Sequence, residues 1–206
     1  SYRLVGSEMC IRDRLDGLRR QPGVTFAEPD VVRTVSGEPF AAYQWHMTQI
    51  GAEAAWDAGH TGSGAVVAVI DTGVSGGGKD GFASLLAGYD FVDDDDSPED
   101  GNGHGTHVAG TIAQAVNGIG VAGVAPDAAI LPVRVLGDDG TGYTSDVVAG
   151  ILYAIAQGAD VINLSLGSSS PSSAEEAALA AAADQGVLVV AATGNDSNNS
   201  GINYPA

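Results

Sequence analysis

Four short, valine-rich apolar runs constrain this chain more than any other feature: 65–70 (AVVAVI), 129–135 (AILPVRV), 161–166 (VINLSL) and 187–192 (VLVVAA). Runs of this length and composition read as strands buried on both faces. Between and before them lie stretches with helical patterning, at 104–116, 145–157 and 173–185. In the first of these, Ala109, Gly110 and Ala113 are small enough to permit close packing. Strands alternating with helices predict an α/β fold with a parallel, doubly wound sheet and right-handed crossovers. Ligands and catalytic groups of such sheets gather at the carboxyl ends of the strands. The residues just after each run are therefore where chemistry is to be sought.

Composition narrows the class of partner. The 206 residues carry a net charge of -18, and 44% are hydrophobic, so the chain can bury a core. Beyond Arg33 the only basic side chains are Lys79 and Arg134. A surface of that sign repels phosphate backbones and anionic lipid, which argues against nucleic acid and membrane partners. It suits a protein kept soluble in extracellular surroundings. A single cysteine, Cys10, excludes an internal disulfide and a zinc–thiolate cluster. The apolar runs are too short to span a bilayer. The first residue is not methionine, and the start is read as a truncation.

Three strand ends stand out. The first runs into Asp71-Thr72-Gly73, the third into Ser165-Leu166-Gly167, and the fourth into Thr193-Gly194-Asn195. His104 and His107 sit in DGNGHGTHVAG, directly after glycines and at the start of a helical stretch. Singly, Asp71 and Asn195 read as cap or turn residues and His104 as an ordinary helix-start residue. Together an acid, an imidazole and a carboxamide converge on one sheet edge, and their roles fit acyl transfer. An imidazole takes a proton from a hydroxyl near neutral pH, because its unperturbed pKa is about 6.5. A buried carboxylate on its other nitrogen fixes the tautomer and steadies the cation formed in reaction. An amide donor stabilises an oxyanion.

Other chemistries fit less well. A zinc site on His104 and His107 lacks further ligands and the usual four-residue spacing on a helix face. A phosphate cradle at GNGHGT follows the acidic stretch DDDDSPED and has no lysine. GSG at 62–64 precedes its strand, so a dinucleotide fingerprint fails as well.

The motifs VVAVIDTGV (66–74), GHGTHVAGTIA (103–113), GIGVAGVAPDAAILPVRVL (118–136), VINLSLG (161–167) and VVAATGN (189–195) resemble those of the subtilisin-like serine proteases, in order and spacing. The resemblance implies a triad aspartate at Asp71, a triad base at His104 and an oxyanion-hole amide at Asn195, with His107 a packing residue. It implies that Ser165, Leu166 and Gly167 line one edge of a cleft for an extended polypeptide substrate, and Gly140, Thr141 and Gly142 the other. It further implies a structural calcium ion held by Asp80, by the Asn117 side chain and by the carbonyls of Ala115, Ile119 and Val121. The family's N-terminal glutamine ligand falls near Ala41, leaving that position unfilled. The acidic run 93–96 reads as a solvated loop rather than a second ion site.

The resemblance also orders the domains. Residues 1–14 are unassigned, with a non-native remnant as one reading, and 15–35, with the pattern of a helix end, a Pro-Gly turn and a strand, match the tail of an inhibitory propeptide. Residues 36–43 form a linker with the self-cleavage point, and 44–206 a partial subtilisin-like peptidase domain. The family's Gly-Thr-Ser-Met-Ala nucleophile motif is absent, since the only methionines are Met9 and Met47. Ser197 and Ser200 do not match it. The expectation is a secreted serine endopeptidase whose serine lies past Ala206, the alternative being a non-catalytic binding module of the same fold.

Overall fold

The computed structural model describes residues 21–22, 38–76, 78–195 and 202–206. The chain divides into two units, Ser1–Gly37 and Glu38–Ala206, and the second carries the fold. Most of the segment matched to a propeptide tail lies outside the described residues, as do Ser197 and Ser200.

Among the described residues six strands form one sheet: β1 (Val66–Asp71), β2 (Ser84–Leu85), β3 (Tyr89–Asp90), β4 (Ala129–Arg134), β5 (Val161–Leu164) and β6 (Leu188–Ala191). The order is β2-β4-β1-β5-β6, with β3 also pairing β4, and every pairing is parallel. The described residues also form five α-helices: α1 (Trp45–Ile50), α2 (Ala52–Asp57), α3 (His104–Ala113), α4 (Thr144–Ala156) and α5 (Ser173–Asp184). Among the described residues no helix is long and apolar enough to cross a membrane.

Strand periodicity explains why both faces are covered. Val67 and Val69 pack with Ala109 and Ala113 of α3 and with Ile130. The alternate residues Ala68 and Ile70 pack with Val147, Ile151 and Ala154 of α4, and with Ala178 and Ala182 of α5. Ile70, Ile130, Leu131, Ile151, Ile162 and Leu164 are wholly buried, each contributing roughly 1.5–3 kcal/mol of apolar transfer. That layering fixes the sheet before any site is considered.

The four long strands and three long helices fall within a few residues of their expected bounds. Residues 45–57 hold two helices that sequence patterning does not announce, because Gly51, at φ 74°, divides them into six-residue pieces. Where a linker is expected, Ala41–Tyr43 form a 3₁₀ turn, and Phe40 N–H bonds the Gly120 carbonyl at 3.1 Å. Glu38 is 6% exposed.

Chain order places a switch point at β1. The chain lays β4 on one side of β1, then crosses by α4 to lay β5 on the other. The carboxyl ends of these three strands border the crevice where such sheets bind ligands.

Candidate active site

β1 ends in Asp71, which is fully buried, and α3 begins at His104, whose side chain is half exposed. His104 Nδ1 and Asp71 Oδ1 lie 2.7 Å apart. Asp71 Oδ1 also accepts the Thr72 N–H at 2.7 Å, and Oδ2 is buried without a partner among the described residues. The other imidazole nitrogen makes no hydrogen bond to a described residue. This arrangement orients the ring and leaves one nitrogen open to exchange a proton.

The close approach of α3 to β1 depends on Gly105. A Cβ there would fall 2.2 Å from the Gly73 carbonyl oxygen and 3.1 Å from Asp71 Cβ. The first turn of α3 has every orphan donor satisfied, although its N-cap, Gly103, has no side chain to do so. Asn102 Oδ1 accepts from His104 N, Thr72 Oγ1 from Gly105 N, and Asp100 Oδ2 from Thr106 N at 2.9 Å. Asp100 also accepts from Thr106 Oγ1 (2.6 Å), Thr72 Oγ1 (2.8 Å), Gly103 N (2.7 Å) and Asn102 N (3.0 Å). Burial opposes its charge, but these bonds, led by Thr106 and Gly103, outweigh burial and hold the carboxyl below its ordinary range. Sequence reasoning missed Asp100, though an acid four residues before a helix-starting histidine is a readable capping signal.

A cavity of about 500 Å³ opens beside His104. All six residues assigned from the sequence to the cleft edges, Gly140, Thr141, Gly142, Ser165, Leu166 and Gly167, line it. Ser165, Leu166 and Gly167 make no backbone hydrogen bond to other described residues. Asn163 Nδ2 steadies that edge by donating to Ser165 Oγ at 2.9 Å. The opposite edge is anchored by Arg134, which pairs with Asp90, with Asp93 (2.7 Å) and with Asp138 (3.0 Å). Asn102 Nδ2 donates to the Asp138 carbonyl at 2.8 Å, tying that loop to the turn before His104. Part of the acidic run at 93–96 is thus an ion-pair partner and not only a solvated loop. Thr72, Asn102, Leu136, Tyr143, Thr144, Val147, Ser168, Glu175 and Tyr204 also border the cavity, and none of these was assigned from the sequence.

Asn195 follows β6 in a bend, exposed, at the same carboxyl edge of the sheet. It is not among the residues that line the cavity. His107 lies within α3 and is exposed, so it is not the packing residue the resemblance implies; its N–H bonds the Gly103 carbonyl.

The loop expected to hold an ion gathers oxygen. Asp80 Oδ1 is 3.3 Å from Asn117 Nδ2, Asp80 Oδ2 is 3.4 Å from Val121 N, and Asn117 Oδ1 accepts from Ile119 N at 2.9 Å. The carbonyls of Ala115, Ile119 and Val121 accept no hydrogen bond from described residues. Gly120, at φ 73°, leaves the space in which a Cβ would be 2.0 Å from Asp80 Oδ2. Glu38, not Ala41, reaches this loop. Its Oε1 accepts from Asn117 N (2.7 Å) and Gly118 N (2.9 Å), while its Oε2 is buried with no partner among the described residues. Two acids, an amide oxygen and three carbonyls that accept no described donor are oxygen groups of the kind a hard cation takes. Among the described residues no three His, Cys, Asp or Glu side chains gather with metal-binding geometry, so the amide and carbonyl oxygens would be indispensable.

Residues 62–206 match the subtilase family, Peptidase_S8. The chain is 45% identical over 192 residues to an alkaline protease of Alkalihalobacillus alcalophilus, covering 93% of this chain and 49% of that protein. It is 51% identical over 162 residues to subtilisin BL of Lederbergia lenta (79% and 59%) and 48% identical over 169 residues to thermitase of Thermoactinomyces vulgaris (81% and 60%). The chain spans about half the length of the curated relatives it matches. Coverage by the family and identity to these proteases agree with the site geometry: the chain belongs to the subtilase family of serine proteases.

Proposed function

We propose that the protein hydrolyses peptide bonds by nucleophilic acyl transfer, with Asp71 and His104 as two members of a triad and a serine supplied from beyond Ala206. The observation that carries this reading is the 2.7 Å His104–Asp71 contact at the mouth of a peptide-sized groove. His104 takes the serine proton as the hydroxyl attacks, and then returns it to the leaving amine. Asp71 holds the imidazole tautomer and offsets the imidazolium charge. Asn195, at the same carboxyl edge of the sheet, supplies the amide donor for the oxyanion. The substrate lies extended between 140–142 and 165–167, adding a strand to the backbone of 165–167, which bonds no other described backbone group.

Residues 1–206 alone are then a scaffold without a nucleophile and should not cleave peptides.

A calcium ion fits the loop, held by Glu38, Asp80, Asn117 and the carbonyls of Ala115, Ile119 and Val121. Bound there, it supplies charge that stabilises the loop and plays no part in the chemistry. Residues 15–35 act as the end of an inhibitory propeptide, removed by cleavage between Val35 and Gln44. The acidic surface and the similarity to the minor extracellular protease Epr of Bacillus subtilis (44% identity over 163 residues) support an extracellular location.

Replacing His104 by alanine in the full-length protein tests the assignment. Peptidase activity should fall by about six orders of magnitude, the scale of loss for a subtilisin without its triad histidine. Activity within tenfold of the unmodified protein would refute it.

A further inference from the structure

Glu175 is a buried acid that the chemistry described above does not use. It stands in the first turn of α5, is 6% exposed, and lines the same cavity as His104 and the two cleft edges. Its local sequence, Ser172-Ser173-Ala174-Glu175, has the spacing of a capping box, in which the glutamate side chain folds back onto the N-cap N–H. Only half of that box forms. Ser172 Oγ accepts from Glu175 N at 3.3 Å, but the carboxylate does not bond the Ser172 N–H. Among the described residues it has no hydrogen bond and no ion pair.

Among the described residues no counter-ion is at hand. Of the two basic side chains past Arg33, Arg134 is taken up by Asp90, Asp93 and Asp138, and Lys79 lies exposed in the loop before Asp80. Burial accordingly pushes the Glu175 carboxyl above its ordinary range. An unpaired, desolvated carboxylate is stabilised by whatever brings a positive charge to it.

The surroundings say what shape that charge arrives on. Glu175 shares the cavity wall with Leu136, Val147 and Leu166. Thr72, Asn102, Tyr143, Thr144, Ser168 and Tyr204 line it as well, and Glu175 is the one acid of the lining; apolar side chains with a single carboxylate complement a long aliphatic stem with a cationic tip. We propose that Glu175 is a specificity-determining residue, which selects a lysine or arginine side chain of a peptide lying in the groove upstream of the bond to be cleaved. The inference rests on the peptide-cleft reading above. The apolar wall alone would favour an uncharged side chain of the same length, so the two readings differ in sign.

The test compares peptide substrates carrying lysine or norleucine, which share a stem and differ in charge, at each of the four positions before the scissile bond. With the full-length protein, kcat/KM should favour lysine by about tenfold or more at one position, as for a hydrogen bond to a charged group. Glu175→Gln should bring that ratio down toward one. Glu176→Gln, an exposed acid on the same turn, should leave the ratio in place, which separates a local contact from the general attraction of an acidic protein for cations. A norleucine preference at all four positions, or an equal fall in both variants, would overturn the proposal. Calorimetric binding of the same peptides to His104→Ala protein gives a second readout. If no peptide is cleaved, the proteolytic reading fails, while the lysine-to-norleucine binding ratio still decides the role of Glu175.

Discussion

Replacing Asp100 by alanine removes one acceptor from five donors, and the structure sets the size of the effect. Asn102 N and Gly103 N are exposed and regain water, so their loss contributes little. Thr72 Oγ1, Thr106 N and Thr106 Oγ1 are partly buried and lose a charged partner. A bond to a charged group contributes about 1.5–3 kcal/mol, and three that share one carboxylate do not add, so about 3 kcal/mol is expected. For a domain of this size that lowers Tm by roughly 6–12 °C. The pH dependence has a definite sign. Asp100 titrates lower when folded than when unfolded, so its stabilisation is present above the unfolded carboxylate value of about 3.9 and is lost as pH falls through the folded value. Calorimetry of Asp100→Ala and the parent, both in a His104→Ala background to prevent autolysis, should show a Tm gap at pH 7 that closes toward pH 3. A gap below 2 °C at pH 7, or one that widens in acid, would refute the claim that this carboxylate caps the helix that begins at His104.

Three further outcomes follow from the geometry. Asn195→Ala should lower kcat by about 10²–10³ with little change in KM, as for loss of an oxyanion donor; equal changes in both, from steady-state kinetics, would argue against that role. Chelation should lower Tm of the parent protein but not of a Glu38→Gln, Asp80→Asn double variant, and an unchanged parent transition would count against the calcium loop. Glu175→Leu should raise Tm at neutral pH by roughly 2–4 °C per kcal/mol of desolvation relieved. Because the folded carboxyl titrates above its unfolded value, that gain should fade as pH falls through the folded value and be gone below the unfolded value of about 4.3.

What could be read from the sequence follows from what is local. The four apolar runs became strands because their valines and isoleucines have no way to reach water from a double-covered sheet, and the sheet order then placed the ends of β1, β4 and β5 together. Asp71 and His104 were legible because each sits at the end of an element, where its neighbours in sequence fix its position. Glu38 was not legible, since its loop partners Asn117 and Gly118 lie about eighty residues away. Arg134 reads as a strand residue, and only the fold brings Asp90, Asp93 and Asp138 around it.

The described acids that end up buried are Glu38, Asp71, Asp90 and Glu175. In a chain of net charge -18, each such burial runs against a large cost, several kcal/mol per ion when nothing compensates. Asp90 shows the static solution, a guanidinium fixed against it. The other three have no lysine or arginine partner among the described residues, and the reading proposed here gives each a positive charge from another source: the imidazolium that forms on His104 during reaction, a calcium ion at Glu38, and the basic side chain of a substrate at Glu175. A fold can carry such groups because the charge that relieves them arrives with the function. On this argument an uncompensated buried carboxylate marks the place where a cation is handled, and the Glu175 peptide series is its sharpest trial, because neither catalysis nor stability alone requires an acid there.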